Sequence, residues 1–166
     1  MKKLALTDFA KYRYPSALEL SPDSRYLTFA LKDVDREGDG YRWNLWLYDL
    51  ERRESRQITQ GDDQRKAVWE DNTHILYKTT EPDEALRARG FEEEWTVYHR
   101  LNVCTGEDRE AFRLPMSVSG LWKMDEGRYV FTGETHLDRP NLLELTGEAL
   151  EKELVRRQQT RGYKVL

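Results

Sequence analysis

Cysteine is nearly absent from this chain. Cys104 is the only one in 166 residues, which excludes an internal disulfide framework and fits a reducing compartment. Long apolar runs are missing too. No stretch approaches the roughly 20 apolar residues that cross a bilayer. The opening MKKLALTDFAKYRY has lysines but no apolar block of the signal-peptide kind. The expectation is a soluble, cytoplasmic chain. Nor is there a basic excess: 27 Lys and Arg face 31 Asp and Glu, so no positive field gathers nucleic acid. His74, His99 and His136 stand at no metal-ligand spacing and read as partly buried or surface residues; neither a metal nor a cofactor is expected. The G-x-S-x-G pentapeptide that exposes a serine nucleophile is lacking. Ser119 has Gly120 after it but Ser117, not glycine, two positions before it. Cys104 precedes a Thr-Gly turn with no base beside it, and reads as a small packing residue. No catalytic residue is assigned.

What the chain does contain is aromatic. Five Trp and nine Tyr are too many large rings for a disordered segment, although charged residues make up 35%. Those two facts are reconciled by a thin, layered domain with a limited aromatic core, and the length suits a single domain. The clearest local pattern is Ala17–Ala30, ALELSPDSRYLTFA. Pro22 sets the backbone angle of a turn in which Ser21 and Asp23 bond nearby backbone groups. Tyr26, Thr28 and Ala30 then alternate with Leu27, Phe29 and Leu31, the period of a strand.

Taken in order, residues 1–16 form a lead-in, with Thr7 capping a helical turn over Asp8–Tyr12. The hairpin follows. Asp33–Arg42 reads as a charged loop, Trp43–Leu50 as an aromatic-rich strand and Arg56–Thr59 as a short fourth strand. The same order then begins again. Lys66–Trp69, the turn Glu70–Thr73 and His74–Thr79 repeat the hairpin; Glu81–Glu94 is a charged loop with room for a helical turn; Trp95–Val103 and Ala111–Leu114 complete the unit. A third copy runs through Ser119–Trp122, a turn at Met124–Gly127, Arg128–Gly133 and Asn141–Leu145. It then departs into Thr146–Arg161, a helical insert with Leu150 and Leu154 on one side, before Tyr163–Leu166 as fourth strand. The turn aspartates Asp23, Asp71 and Asp125 recur at intervals of about 50 residues, the period of a propeller blade.

The fold class expected is therefore all-β: a partial β-propeller of about three four-stranded antiparallel blades, at 17–61, 65–115 and 117–166, with a helical insert at 146–161 in the third. A β-sandwich is the alternative. It has no reason to repeat the same internal order and turn chemistry in each unit. Of the tryptophans, Trp46, Trp69 and Trp122 are expected to pack in the core, with Trp43 and Trp95 at strand starts. Three blades do not close a ring, so the chain is expected to be a piece of a larger protein or part of a completed assembly.

SPDSRYLTFA followed by NLWLYDLERRESRQIT resembles the propeller repeat of the prolyl oligopeptidase family of serine peptidases, in which Ser-Pro-Asp-Gly leads to an aromatic strand and Leu-Trp-Leu-Tyr-Asp. The lead-in LTDFAKYRYPSALELSPD and the stretch EEEWTVYHRLNVCTGEDREAFRLP are similar to the acylaminoacyl-peptidase and dipeptidyl aminopeptidase branch. Two departures stand out. Ser24 replaces the consensus glycine, and Glu70-Asp71-Asn72 lacks the Ser-Pro.

The resemblance implies a non-catalytic propeller that gates substrate access in a serine peptidase of short peptides or acylated amino-terminal residues. The Ser-Asp-His machinery would sit on a hydrolase domain C-terminal to it, leaving this chain inactive alone. The implied partners are that hydrolase domain and a peptide substrate, with neither nucleic acid nor membrane. Open blade edges give a route to self-association. Some dipeptidyl peptidases of this broad family hold the substrate's free amino terminus with propeller glutamates. By that likeness Glu92 and Glu93 are the candidate substrate-binding residues; a solvated acidic loop is the plainer reading of the same run. A non-enzymatic scaffold that binds a protein through its blade loops is the alternative function.

Overall fold

The computed structural model describes residues 11–35, 40–134 and 138–160. The first hairpin forms where the pattern placed it. Strand β1 (Tyr14–Leu20) pairs antiparallel with β2 (Tyr26–Asp35), matching Leu20 with Leu27. The Ser-Pro-Asp-Ser turn is held by its own side chains. Ser21 Oγ donates to Asp23 Oδ1 at 2.6 Å and accepts from the Tyr26 amide at 2.9 Å, and Asp23 Oδ1 also accepts from the Arg25 amide at 3.1 Å. Ser24 lies in the left-handed region at φ 60°, which explains why a glycine suits that position.

Strand β3 (Gly40–Asp49) pairs with β2, and β4 (Glu54–Gln57) pairs with β3, giving a four-stranded sheet in chain order. The second blade repeats this with β5 (Ala67–Trp69), β6 (His74–Pro82), β7 (Glu94–Asn102) and β8 (Asp108–Leu114). Its turn works without Ser-Pro because Asp71 Oδ1 accepts from the amides of Thr73 and His74, both at 2.8 Å. The third blade contributes a two-stranded sheet, β9 (Ser117–Lys123) with β10 (Tyr129–Glu134), among the described residues. The architecture is all-β antiparallel, that of a partial propeller.

Three local expectations are corrected. The charged loop at Asp33–Arg42 is largely strand: Asp33, Val34 and Asp35 pair with Arg42, Tyr41 and Gly40. The rings of Tyr41 and Trp43 hold the Lys32 ammonium at 3.6 and 5.3 Å, a cation–π contact that offsets the charge of the ribbon. In the loop at Glu81–Glu94, β6 continues to Pro82, and a single helical turn α1 (Glu84–Arg87) follows, capped by the Asp83 carboxylate on the Leu86 amide at 3.0 Å. Asn141–Leu145 is not a strand. Asn141 caps a 3-10 turn over Leu142–Glu144, accepting from the Leu143 amide at 3.0 Å, and local side-chain bonding of this kind competes with a ladder. Helix α2 (Gly147–Thr160) matches the expected insert. The helical turn at Asp8–Tyr12, His136 and the strand at Tyr163–Leu166 lie wholly or partly outside the described residues.

Two compact units, a first (Met1–Thr79, Val97–Phe112 and Leu121–Val130) and a second (Thr80–Thr96, Arg113–Gly120 and Phe131–Leu166), are distinguished by their cores. In one, Tyr26, Ala30, Leu45 and Leu47 of the first sheet pack on Trp69, Ile75, Tyr77 and Leu101 of the second. In the other, Leu86, Phe91, Leu142 and Leu154 form a separate cluster with Leu150 against it, so the Leu150/Leu154 side of α2 faces inward. Trp69 is buried as expected, stacked on Tyr26 at 6.5 Å. Trp122 is not: it is 46% exposed on β9, with the Lys66 ammonium 5.6 Å from its ring. Trp46 is only partly buried and stacks on Phe29 at 6.5 Å. The reason is common to both. A strand aromatic is buried only where a second layer covers its face of the sheet.

Candidate functional site

Within the second unit, a cleft of about 770 Å³ is lined by Glu92, Glu93 and Glu94 at the entry to β7, by Pro115–Ser117, by the end of β10 and by Arg139–Asn141, with Arg157 reaching in from α2. Both sequence-predicted residues, Glu92 and Glu93, border it. Three devices set its walls. Thr96, buried on β7, donates its hydroxyl to the Met116 carbonyl at 2.7 Å and accepts from the Val118 amide at 3.2 Å. Asn141 Nδ2 donates to the Pro115 carbonyl. Gly133 permits the close approach of β10: a Cβ there would stand 2.9 Å from the Ser117 carbonyl oxygen.

The electrostatics separate the two glutamates. Glu93 Oε1 accepts from Arg157 Nη1 at 2.9 Å, while the same guanidinium bonds Glu153 at 3.0 Å and the Pro140 carbonyl at 2.5 Å. The Arg157 side chain is only 14% exposed, so this pairing is shielded from water. Glu153 also receives Arg156, and the hydrogen bonds from Arg156 and then Arg157 hold its carboxyl down at about 2. Glu92 is exposed. Glu93 is therefore a compensated carboxylate in a wall, and Glu92 a carboxylate open to solvent. Counting the lining, Glu92, Glu93, Glu94 and Glu134 face Arg139 and Arg157, which leaves the cleft acidic. Among the described residues no histidine lines it. The arrangement can bind a cationic or zwitterionic group.

Arg157 and Asn141 were not singled out from the sequence. The Glu153 to Arg157 spacing of four is a readable helix pair. The partner Glu93, 64 positions away, is not readable in the same way.

The remaining candidates lie in the first unit. His74 Nδ1 sits 2.9 Å from Asp71 Oδ2 and its Nε2 is 3.1 Å from Asn102 Nδ2. His99 Nε2 is 3.2 Å from the Thr79 hydroxyl and stacks on Tyr77 at 5.2 Å. Among the described residues no group of three or more His, Cys, Asp or Glu is placed to hold a metal ion. Cys104 is exposed, which corrects its assignment as a packing residue: the Thr-Gly turn carries it outward, its sulfur 3.8 Å from the Tyr26 hydroxyl. Among the described residues no helix is long and apolar enough to cross a membrane.

No protein-family model matches the chain, and no curated protein does. Solved structures do. The chain is similar to the β-propeller domain of the Trilobed protease from Pyrococcus furiosus, described as having an open velcro topology, with 13% identity and a TM-score of 0.53 over 74% of this chain and 34% of that one. It is also similar to the acylaminoacyl peptidase of Pyrococcus horikoshii, with 15% identity and a TM-score of 0.57 over 76% of this chain and 18% of that one. The chain thus spans about a third and about a fifth of those lengths. At these identities the likeness shows the fold alone, a propeller segment.

Proposed function

We propose that this chain is the non-catalytic propeller part of a serine peptidase that hydrolyses short peptides or acylated amino-terminal residues, with hydrolysis carried by a separate hydrolase domain. The observation that carries the reading is the shared fold: both solved structures above come from peptidases, and the Ser21-Pro22-Asp23 turn and the Leu45–Asp49 strand that suggested the family lie in one four-stranded antiparallel sheet. The chain's task is then steric. A propeller over a catalytic pocket admits extended or short chains and excludes folded ones, which concentrates specificity in access. Of the two glutamates, Glu92 is the one free to meet a substrate ammonium, and Glu93, held by Arg157, fixes the wall beside it. A reducing, cytoplasmic setting suits the exposed Cys104 thiol.

The test begins with the natural gene. Its reading frame past Leu166 is expected to encode a domain of roughly 200 residues or more containing G-x-S-x-G. A stop codon there overturns the peptidase reading and leaves a protein-binding scaffold. The 166-residue chain itself is expected to give no turnover of acylated or aminoacyl chromogenic substrates. Inhibitor-sensitive hydrolysis by it would contradict the non-catalytic assignment.

A further inference from the structure

The protonation state of His74 is dictated by its neighbours. Asn102, the last residue of β7, turns its side-chain oxygen onto the β7–β8 turn, where Oδ1 accepts from the amides of Cys104 at 2.9 Å and Thr105 at 3.0 Å. Both lone pairs of that oxygen are then in use. The amide nitrogen, Nδ2, is left facing His74 Nε2 at 3.1 Å, and it can only donate. His74 Nε2 therefore accepts and carries no proton. The ring proton sits on Nδ1, against Asp71 Oδ2 at 2.9 Å, with the Thr73 hydroxyl 3.2 Å away. Asp71 is ionised at neutral and mildly acid pH: burial pushes its carboxyl up, but the amides of Thr73 and His74 hold it at about 2. The neighbouring carboxylate, Glu70, is taken by Arg100 of β7 and Tyr129 of β10, and the Lys123 ammonium of β9 is on the Glu70 carbonyl. His99 is not constrained in this way, because its Nε2 faces the Thr79 hydroxyl at 3.2 Å, which can donate or accept.

We infer that His74 and Asn102 form a proton-operated latch on the β7–β8 turn. A second proton on the His74 ring puts an N–H against the Asn102 NH2 group, so that two donors face each other. The contact is restored when the Asn102 amide turns over and offers Oδ1 to the imidazolium. That same movement takes the acceptor away from the Cys104 and Thr105 amides. One oxygen serves either the turn or the charged ring. A charge-assisted bond is worth about two neutral ones, so the exchange is close to balanced and a single proton decides it. Asp71 stays bonded to Nδ1 in both states, which keeps the ring in place. The rest of the turn keeps its ladder, with the Val103 amide on the Thr73 carbonyl and the Gly106 amide on the Asn102 carbonyl, both at 2.8 Å. What the latch loosens is one wall of a cleft of about 400 Å³, which Cys104 and Thr105 line together with Tyr26, Leu47, Arg52 and Arg56. The inference rests on the turn contacts of the second blade and stands apart from the peptidase reading.

Nuclear magnetic resonance of the isotope-labelled protein tests it. At about pH 8, the ring correlations of His74 are expected to show the tautomer protonated on Nδ1. Between about pH 8 and pH 5, the range in which histidine changes charge, the Cys104 and Thr105 amides should lose protection against hydrogen exchange. Measured relative to an unstructured chain at the same pH, the loss should be roughly three- to ten-fold, the weight of one net hydrogen bond. The Val103 amide should keep its protection, which shows that the blade is still folded. Asn102→Asp supplies two acceptor oxygens, one for the turn and one for the imidazolium, so its turn should stay protected on acidification. His74→Gln should abolish the pH response altogether. A neutral His74 protonated on Nε2, flat protection in the wild type, an equal loss at Val103, or a fall that persists in a folded Asn102→Asp or His74→Gln chain would each overturn the proposal.

Discussion

Glu70 is the residue whose removal should cost the first unit most for a single polar group. It stands directly after β5, with its side chain 9% exposed. Arg100 on β7 grips it with two hydrogen bonds, one of 2.6 Å, and Tyr129 on β10 donates its hydroxyl to the same carboxylate. The Lys123 ammonium meets the Glu70 carbonyl, so one position joins segments that are far apart in sequence. Burial alone would raise its carboxyl pKa, but the bonds from Arg100 and Tyr129 outweigh that and hold it below the ordinary 4.5. Breaking a fully buried pair costs about 3–5 kcal/mol. Arg100 is 38% exposed and can rehydrate once freed, which reduces the loss. Glu70→Ala is accordingly expected to destabilise by about 2–3 kcal/mol. In a chain of this length that lowers Tm by roughly 5–10 °C. Urea denaturation at pH 7 measures it, and a cycle with Arg100→Met should return a coupling of about 1–2 kcal/mol. A loss under about 0.5 kcal/mol, the ordinary range of a surface pair, would refute the reasoning.

Two further outcomes follow from the turns. Ser24 holds a left-handed backbone at φ 60°, so Ser24→Gly should raise stability by about 0.5–1 kcal/mol, the relief of that conformation less the entropy glycine adds to the unfolded chain; thermal denaturation that shows a loss would mean the serine has a role beyond the turn. For Asp71, burial pushes its pKa up, but the amides of Thr73 and His74, with their side chains, pull it from 3.8 to about 2. A depressed folded pKa gives stability that is present above 3.8 and fades as pH falls toward 2. Asp71→Asn should therefore flatten the acid limb of the stability curve between about pH 4 and pH 2, and an unchanged limb would contradict the assignment.

Blade order, turn chemistry and the helical insert were legible from the residues because each is a local matter. A Ser-Pro-Asp turn satisfies its own backbone, a period-2 strand declares two faces, and Leu150 and Leu154 declare one side of a helix. The misread segments are those where a distant or adjacent partner overrides local preference. Asp33–Arg42 looks like loop until Lys32 lies over Tyr41 and Trp43. Asn141–Leu145 looks like strand until Asn141 reaches the Pro115 carbonyl and Leu142 sinks among Leu86, Phe91 and Leu154. At the cleft, the glutamate run was visible, but its division into a compensated Glu93 and an open Glu92 was not. That depends on where α2 delivers Arg157, and a helix's angular placement is set by packing, not by its own sequence. By itself, then, the chain determined a repeated antiparallel blade and its turns, through contacts spanning a few residues. Only the tertiary structure decided which faces are covered, which carboxylates are neutralised and which aromatics stay outside, because each of those is an energy shared with residues 30–64 positions away.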